Sequence, residues 1–175
     1  MKKGGILNCE ICALIGSVGH GDMIMISDAG FAIPQSVKRI ELALEQNSPT
    51  VERVLELLYQ ELIIEKYTVA EEMPEVNPLA LEKYRGIFRE TTIKEERVPH
   101  GDIVSILAPA CRAVIRTGAF SPYGSIILFP AIDALEWYKA PGVSVPDFYK
   151  ERIRGSESVG AESDLPAKSN RRDSA

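Results

Sequence analysis

The sequence predicts a three-layer α/β/α domain built on a mixed, mostly parallel sheet. Three observations lead there. Short apolar runs of strand length alternate with stretches of helical periodicity. Met23-Ile24-Met25-Ile26 and Ile126-Ile127-Leu128-Phe129 are apolar throughout, as expected of strands covered on both faces. A polar, glycine-containing segment, Asp28-Ala29-Gly30, follows the first run, where α/β sheets place their ligand sites.

Taken in order, Asn8 to Val18 reads as a helix. Ile11, Leu14, Ile15 and Val18 recur at helical spacing, Asn8 can cap the start, and Gly19 fits the end. Residues 23–27 form a buried strand, 31–34 a loop, and 39–44 a second strand with rough alternation. Ser48-Pro49-Thr50 opens a helix whose apolar face is Val51, Val54, Leu55 and Leu58. Residues 62–70 carry β-branched Ile63, Ile64, Thr68 and Val69, and read as a strand closed by Glu71-Glu72. Asn77-Pro78 starts a helix with Leu79, Leu81, Tyr84, Ile87 and Phe88 as its buried positions. A short strand over 91–98 follows, then a helix-like stretch over 99–112 that Pro109 must end or kink. Ala113 to Gly118 is a strand, Ser121-Pro122-Tyr123-Gly124 a tight turn, and 125–129 the last strand.

Three regions emerge: a domain over 1–130, an apolar arm over 131–150, and a tail over 151–175. The arm holds Ile132, Leu135, Trp137, Tyr138, Phe148 and Tyr149, is broken by Pro141, Gly142 and Pro146, and is expected to pack on the domain or on a neighbouring subunit. The tail has as many acidic as basic residues and little to bury, so disorder is expected.

Composition narrows the function. With 45% hydrophobic and 26% charged residues the chain reads as soluble and globular. A net charge of -5 without a basic block disfavours a nucleic-acid partner. No apolar run is long enough for a membrane helix, and Asn8 and Glu10 interrupt the stretch that a signal peptide would need. The three cysteines, Cys9, Cys12 and Cys111, read as reduced thiols in a cytoplasmic protein. Cys9-Glu10-Ile11-Cys12 spells CxxC, but two ligands do not make a structural zinc site, and the pair reads as two cysteines on one face of a short helix.

The two histidines, His20 and His100, both lie in polar glycine-containing loops, Gly19-His20-Gly21-Asp22 and Pro99-His100-Gly101-Asp102. Histidine is the proton carrier suited to neutral pH, and Asp28 could orient it or bind a sugar hydroxyl. The residues alone leave His20 with Asp28 open as either a site or two unrelated loop positions. His20, Asp22, Asp28 and His100 could ligate a metal, though their spacing matches no metal motif. Tyr123 and Ser125 offer hydroxyls, and an aromatic ring can cover a sugar's apolar face; the same turn also reads as an ordinary connection.

The residues Gly19-His20-Gly21-Asp22 and Ser27 to Pro34 resemble the signature of the ribose pyranases and fucose mutarotases. Met1-Lys2-Lys3-Gly4 to Leu7-Asn8 resembles the ribose pyranase opening, and Val69-Ala70-Glu71-Glu72 with Asn77-Pro78 the middle of the family. Ala113 to Gly118 with Ser121 to Leu128 is similar to the family's C-terminal motif, so the resemblance covers about residues 1–129 in order. It implies an isomerase that interconverts ring forms or anomers of a monosaccharide, of the D-ribose type or the L-fucose type. It implies His20 as the catalytic acid/base, Asp28, His100 and Ser125 as sugar contacts, and Tyr123 as a contact delivered by an adjacent subunit. It implies a homo-oligomeric ring, a pentamer or a decamer of two stacked pentamers, with the site at an interface, and no metal or organic cofactor. Three departures stand out: Ser125 replaces the usual asparagine, the stretch between His100 and Tyr123 is one residue longer than usual, and an extension follows Pro130. A non-enzymatic sugar-binding accessory to uptake and a ring-forming structural homologue without activity are the competing expectations.

Overall fold

The computed structural model describes residues 2–88, 93–147 and 149–150. The described residues fall into two compact units, one comprising residues 2–88 and 93–133, the other residues 134–147 and 149–150. The first holds a six-stranded sheet in the order β2-β5-β1-β6-β3-β4. The strands are β1 (Ile24–Ser27), β2 (Arg39–Glu41), β3 (Ile64–Ala70), β4 (Lys94–Val98), β5 (Ala113–Arg116) and β6 (Ile126–Pro130). Strands β2, β5 and β1 run parallel, as do β3 and β4; β6 lies between β1 and β3, antiparallel to both. The sheet is therefore mixed and mostly parallel, as expected from the sequence. All four residues of β1 are buried, so both faces of the sheet's centre are covered.

Helix α1 (Cys9–Ser17) starts where Asn8 accepts the backbone N–H groups of Glu10 and Ile11. Cys9 is exposed there, whereas the Cys12 thiol is half-buried and donates to Ile6 O at 3.1 Å. Helix α2 (Val51–Tyr59) begins two residues after Pro49, because the Thr50 hydroxyl caps Arg53 N, and it buries the four residues of its apolar face. A short helix that the sequence did not signal, α3 (Met73–Val76), precedes α4 (Pro78–Phe88).

On α4 the buried residues are Ala80, Leu81, Tyr84 and Phe88, while Ile87 is only half-buried. Leu79 is 77% exposed. It lies two positions from Leu81, about 200° around the helix, so the face fixed by Leu81, Tyr84 and Phe88 turns it outward.

The stretch before β5 is one helical run in three pieces, α5 (His100–Asp102), a π turn (Ile103–Leu107) and α6 (Ala108–Ala110). Ala108 N bonds Ile103 O, five residues back. Pro109 has no N–H and its ring crowds the carbonyl four residues earlier; the widened turn accommodates it, and the helix ends at Cys111. Burial pushes the Cys111 thiol up to about 12, which keeps it protonated and unreactive.

In the second unit, α7 (Ala134–Trp137) is followed by Tyr138, whose ring lies 5.3 Å from that of Tyr149. Phe148, Thr91 and the tail over 151–175 lie outside the described residues.

Candidate functional site

The parallel strands deliver their carboxyl ends to one edge of the sheet, and β6, running the other way, brings its amino end there too. Asp28 follows β1, Thr117 and Gly118 follow β5, and Gly124 and Ser125 precede β6. At this edge the Ser125 hydroxyl donates to Asp28 Oδ2 at 2.8 Å and accepts from Asp28 N at 3.3 Å. Asp28 Oδ1 accepts from Gly30 N at 2.8 Å. Each carboxylate oxygen thus has one intramolecular donor and capacity for another. Ser125 is buried and turned to the carboxylate, so it fixes Asp28's orientation.

His100 stands at the same edge. Its ring meets Tyr123 edge-on at 5.0 Å and Phe31 at 5.9 Å. Its backbone N–H donates to the Glu72 carboxylate, 3.1 Å from Oε2, which ties the start of α5 to the end of β3. The 22 residues between His100 and Tyr123 thus return the chain so that the two rings meet. The loop carrying Tyr123 is pinned from behind. Tyr84 OH donates to Gly124 O at 2.6 Å, and Asn77 Nδ2 donates to Ser121 Oγ and Pro122 O, both at 2.9 Å. Burial raises the Tyr84 hydroxyl well above the usual phenol range, so it remains a donor. Tyr123 has φ 54°, a left-handed conformation that points to a constrained turn.

Beside Asp28 opens a cleft of about 450 Å³ lined by Gly30, Arg116, Ala119, Phe120, Ser121 and Pro122. The Arg116 guanidinium donates to Ala29 O through Nε (3.0 Å) and an Nη (2.7 Å), and to Glu41 at 3.1 Å. Phe120 is 66% exposed at the rim. A larger surface hollow of about 840 Å³ lies between α2 and α4. Its carboxylates Glu52, Glu56 and Glu82 are already paired with Lys83, Arg53 and Arg85, so it offers no convergent group seeking a ligand.

His20 is at the other end of the sheet. Its turn precedes β1, with Asp22 Oδ2 accepting Gly19 N at 2.9 Å, and its Nδ1 lies 3.8 Å from Glu65 Oε2 at the start of β3. The length of β1, about 13 Å at the usual rise, separates this turn from Asp28. A single chain therefore does not bring His20 and Asp28 together into one local site. Within one chain Tyr123 stands with His100 at the same edge as Asp28 and Ser125, apart from His20. The four residues considered as metal ligands are split between the two ends, and among the described residues no group of three histidine, cysteine or acidic side chains is placed to hold a metal.

Glu72, Tyr84, Arg116 and Glu65 support these loops without a signal in the sequence that marks them as supports. Glu72 and Arg116 fall inside the family-like segments, and Tyr84 has the spacing of a core residue. Ser27, just before Asp28, is buried with its hydroxyl unpartnered. Ser27→Ala removes that unsatisfied group, so it is expected to stabilise the fold by about 1 kcal/mol. Scanning calorimetry should show a rise of about 2–4 °C in Tm; a fall would mean that the hydroxyl has a partner.

A mixed α/β sheet with a carboxylate, an imidazole and a tyrosine beside a cleft at its carboxyl edge is the usual place for a small-ligand site in this fold class. The chain belongs to the RbsD / FucU transport protein family, which it matches over residues 1–132. It is 37% identical over 152 residues to D-ribose pyranase 2 of Rubrobacter xylanophilus, covering 87% of this chain and 97% of that one. It is 44% identical over 135 residues to D-ribose pyranase of Bacillus cytotoxicus, covering 75% and 98%. The solved structure of Bacillus subtilis RbsD complexed with D-ribose superposes with a TM-score of 0.71 at 33% identity, covering 75% of this chain and 98% of that one. The longer Rubrobacter match takes in part of the segment beyond residue 132.

Proposed function

We propose that this chain is a sugar mutarotase that interconverts the pyranose and furanose forms of D-ribose. The observation that carries the reading is the Asp28–Ser125 pair beside the His100–Tyr123 rings, in a chain 33% identical to a protein solved with D-ribose. Ring opening of a hemiacetal needs a proton delivered to the ring oxygen and one removed from the anomeric hydroxyl. In this reading Asp28, oriented by Ser125, accepts hydrogen bonds from sugar hydroxyls, while the His100 and Tyr123 rings wall the sugar and contribute polar atoms. His20 carries the proton.

Because His20 lies at the opposite end of its own sheet, it acts on the sugar held by a neighbouring copy. The active protein is then a ring-forming homo-oligomer, a pentamer or a decamer, with the site completed across the interface. Exposed Leu7, Leu44 and Phe120 supply apolar surface for such contacts. No metal or organic cofactor takes part, and neither nucleic acid nor a membrane is a partner. The free cysteines fit a reducing compartment, so we place the protein in the cytoplasm.

The test is saturation-transfer NMR of D-ribose with the assembled protein. The wild type should accelerate pyranose–furanose exchange, and His20→Ala should lose about 10²–10⁴-fold of that rate, the usual contribution of a positioned acid/base. Full activity in His20→Ala would remove its proton-carrying role. Line broadening without faster exchange in the wild type would make the protein a sugar binder rather than an enzyme.

A further inference from the structure

We propose that Glu65 is a positioning residue for His20, engaging the Nδ1 edge of the imidazole so that Nε2 is the nitrogen presented to the sugar. This rests on the reading of His20 as the proton carrier. Two independent observations support it.

The first is the approach of Glu65 Oε2 to His20 Nδ1, 3.8 Å, with the carboxylate side chain only 18% exposed and the imidazole 43% exposed. The second is the register of β3 against β6. Ile64 pairs with Pro130 and Lys66 with Phe129, so Glu65 is the extra residue of a β-bulge. A bulge re-aims one side chain while the strand on either side stays in its ladder. Here the re-aimed side chain is the carboxylate beside the histidine. Its neighbour Lys66 is held separately, on Glu96 at 2.9 Å and over the Phe129 ring at 4.2 Å.

The ionisable groups around the turn include Glu65 from β3, Asp22 within the turn and Arg112 ahead of β5. Asp22 is nearer in sequence, but its oxygens face Gly19 N and Arg112, 2.9 and 3.8 Å away. It locks the turn, and the carboxylate facing the imidazole is Glu65. A neutral imidazole has one N–H and one lone pair, and the partner of one nitrogen decides which is which. A carboxylate at Nδ1 places the N–H there and leaves the Nε2 lone pair outward. The 3.8 Å separation exceeds a hydrogen bond; such contacts in ligand-free sites often tighten when substrate arrives.

The experiment compares assembled wild type, Glu65→Met, Glu65→Gln and His20→Ala, by ribose exchange kinetics and by nitrogen-15 spectra of the His20 ring. Met keeps the bulk and removes the acceptor; Gln keeps an acceptor and removes the charge. In Glu65→Met, kcat should fall about 10-fold, at the low end of a general acid/base contribution, with KM within about 2-fold. The ring spectra should shift from the Nδ1–H form toward the Nε2–H form, and Glu65→Gln should fall between. An unchanged kcat, or unchanged ring spectra beside a reduced kcat, overturns the inference. If His20→Ala keeps full activity, the reading of His20 fails instead, and the ring spectra still report whether Glu65 holds the imidazole.

Discussion

Two inactive variants mixed together are expected to make an active enzyme. In the proposed function His20→Ala removes the proton carrier and Asp28→Ala the carboxylate that binds the sugar, so each alone should show almost no ribose exchange. The two groups lie at opposite ends of one sheet, with β1 between them. A site using both must draw them from different copies of the chain. If the variants are unfolded together and reassembled, each half of a site is intact in about one case in two. About one quarter of the sites then carry both groups, and exchange should return to about one quarter of the wild-type rate. Copies of each variant assembled separately and then combined should stay inactive, provided subunits do not exchange. A reassembled mixture no faster than its parents, with both chains present in the same ring by native mass spectrometry, would refute the shared site.

That separation is implicit in the sequence. His20 and Asp28 are eight residues apart, which invites a single local site. The residues between them were read as a strand, and a strand carries the chain from one edge of a sheet to the other. The amphipathic face of α2, the capping of α1 by Asn8 and the buried run of β1 were legible because each depends on local periodicity or a local hydrogen bond. Helix α3 was not, since four residues with Pro74 among them carry no period. The bulge at Glu65 was not legible either, because it exists only in the register between β3 and β6. The contact of Ser125 with Asp28 spans 97 positions, and only the placement of β6 beside β1 creates it. The one hydroxyl of Ser125 is engaged by the carboxylate.

Gly118→Ala is expected to be the most damaging single-methyl change in the domain. The glycine follows β5 directly behind the Phe120–Tyr123 loop, and its φ is not in the left-handed region, so space decides the matter. A Cβ there would lie 2.2 Å from Glu45 O and 2.5 Å from Ser48 O, both backbone atoms. Relief by separation is blocked, because the same two segments are tied together. Asn47 N donates to Gly118 O at 2.7 Å, Gly118 N donates to Pro49 O at 3.1 Å, and Phe120 N donates to Asn47 Oδ1 at 2.9 Å. Moving the backbone far enough to admit a methyl would stretch these bonds, so the loss should reach about 3 kcal/mol. For a chain of this size that is roughly 10 °C in Tm. Gly16→Ala, in a helix with nothing within 4 Å of the added methyl, is the control; it should hold or raise Tm, by up to about 1 kcal/mol in stability. If Gly118→Ala melts as Gly16→Ala does, the β5 end does not sit against the 45–49 loop in solution. The wall of the proposed sugar site built from residues 119–123 would then need another support.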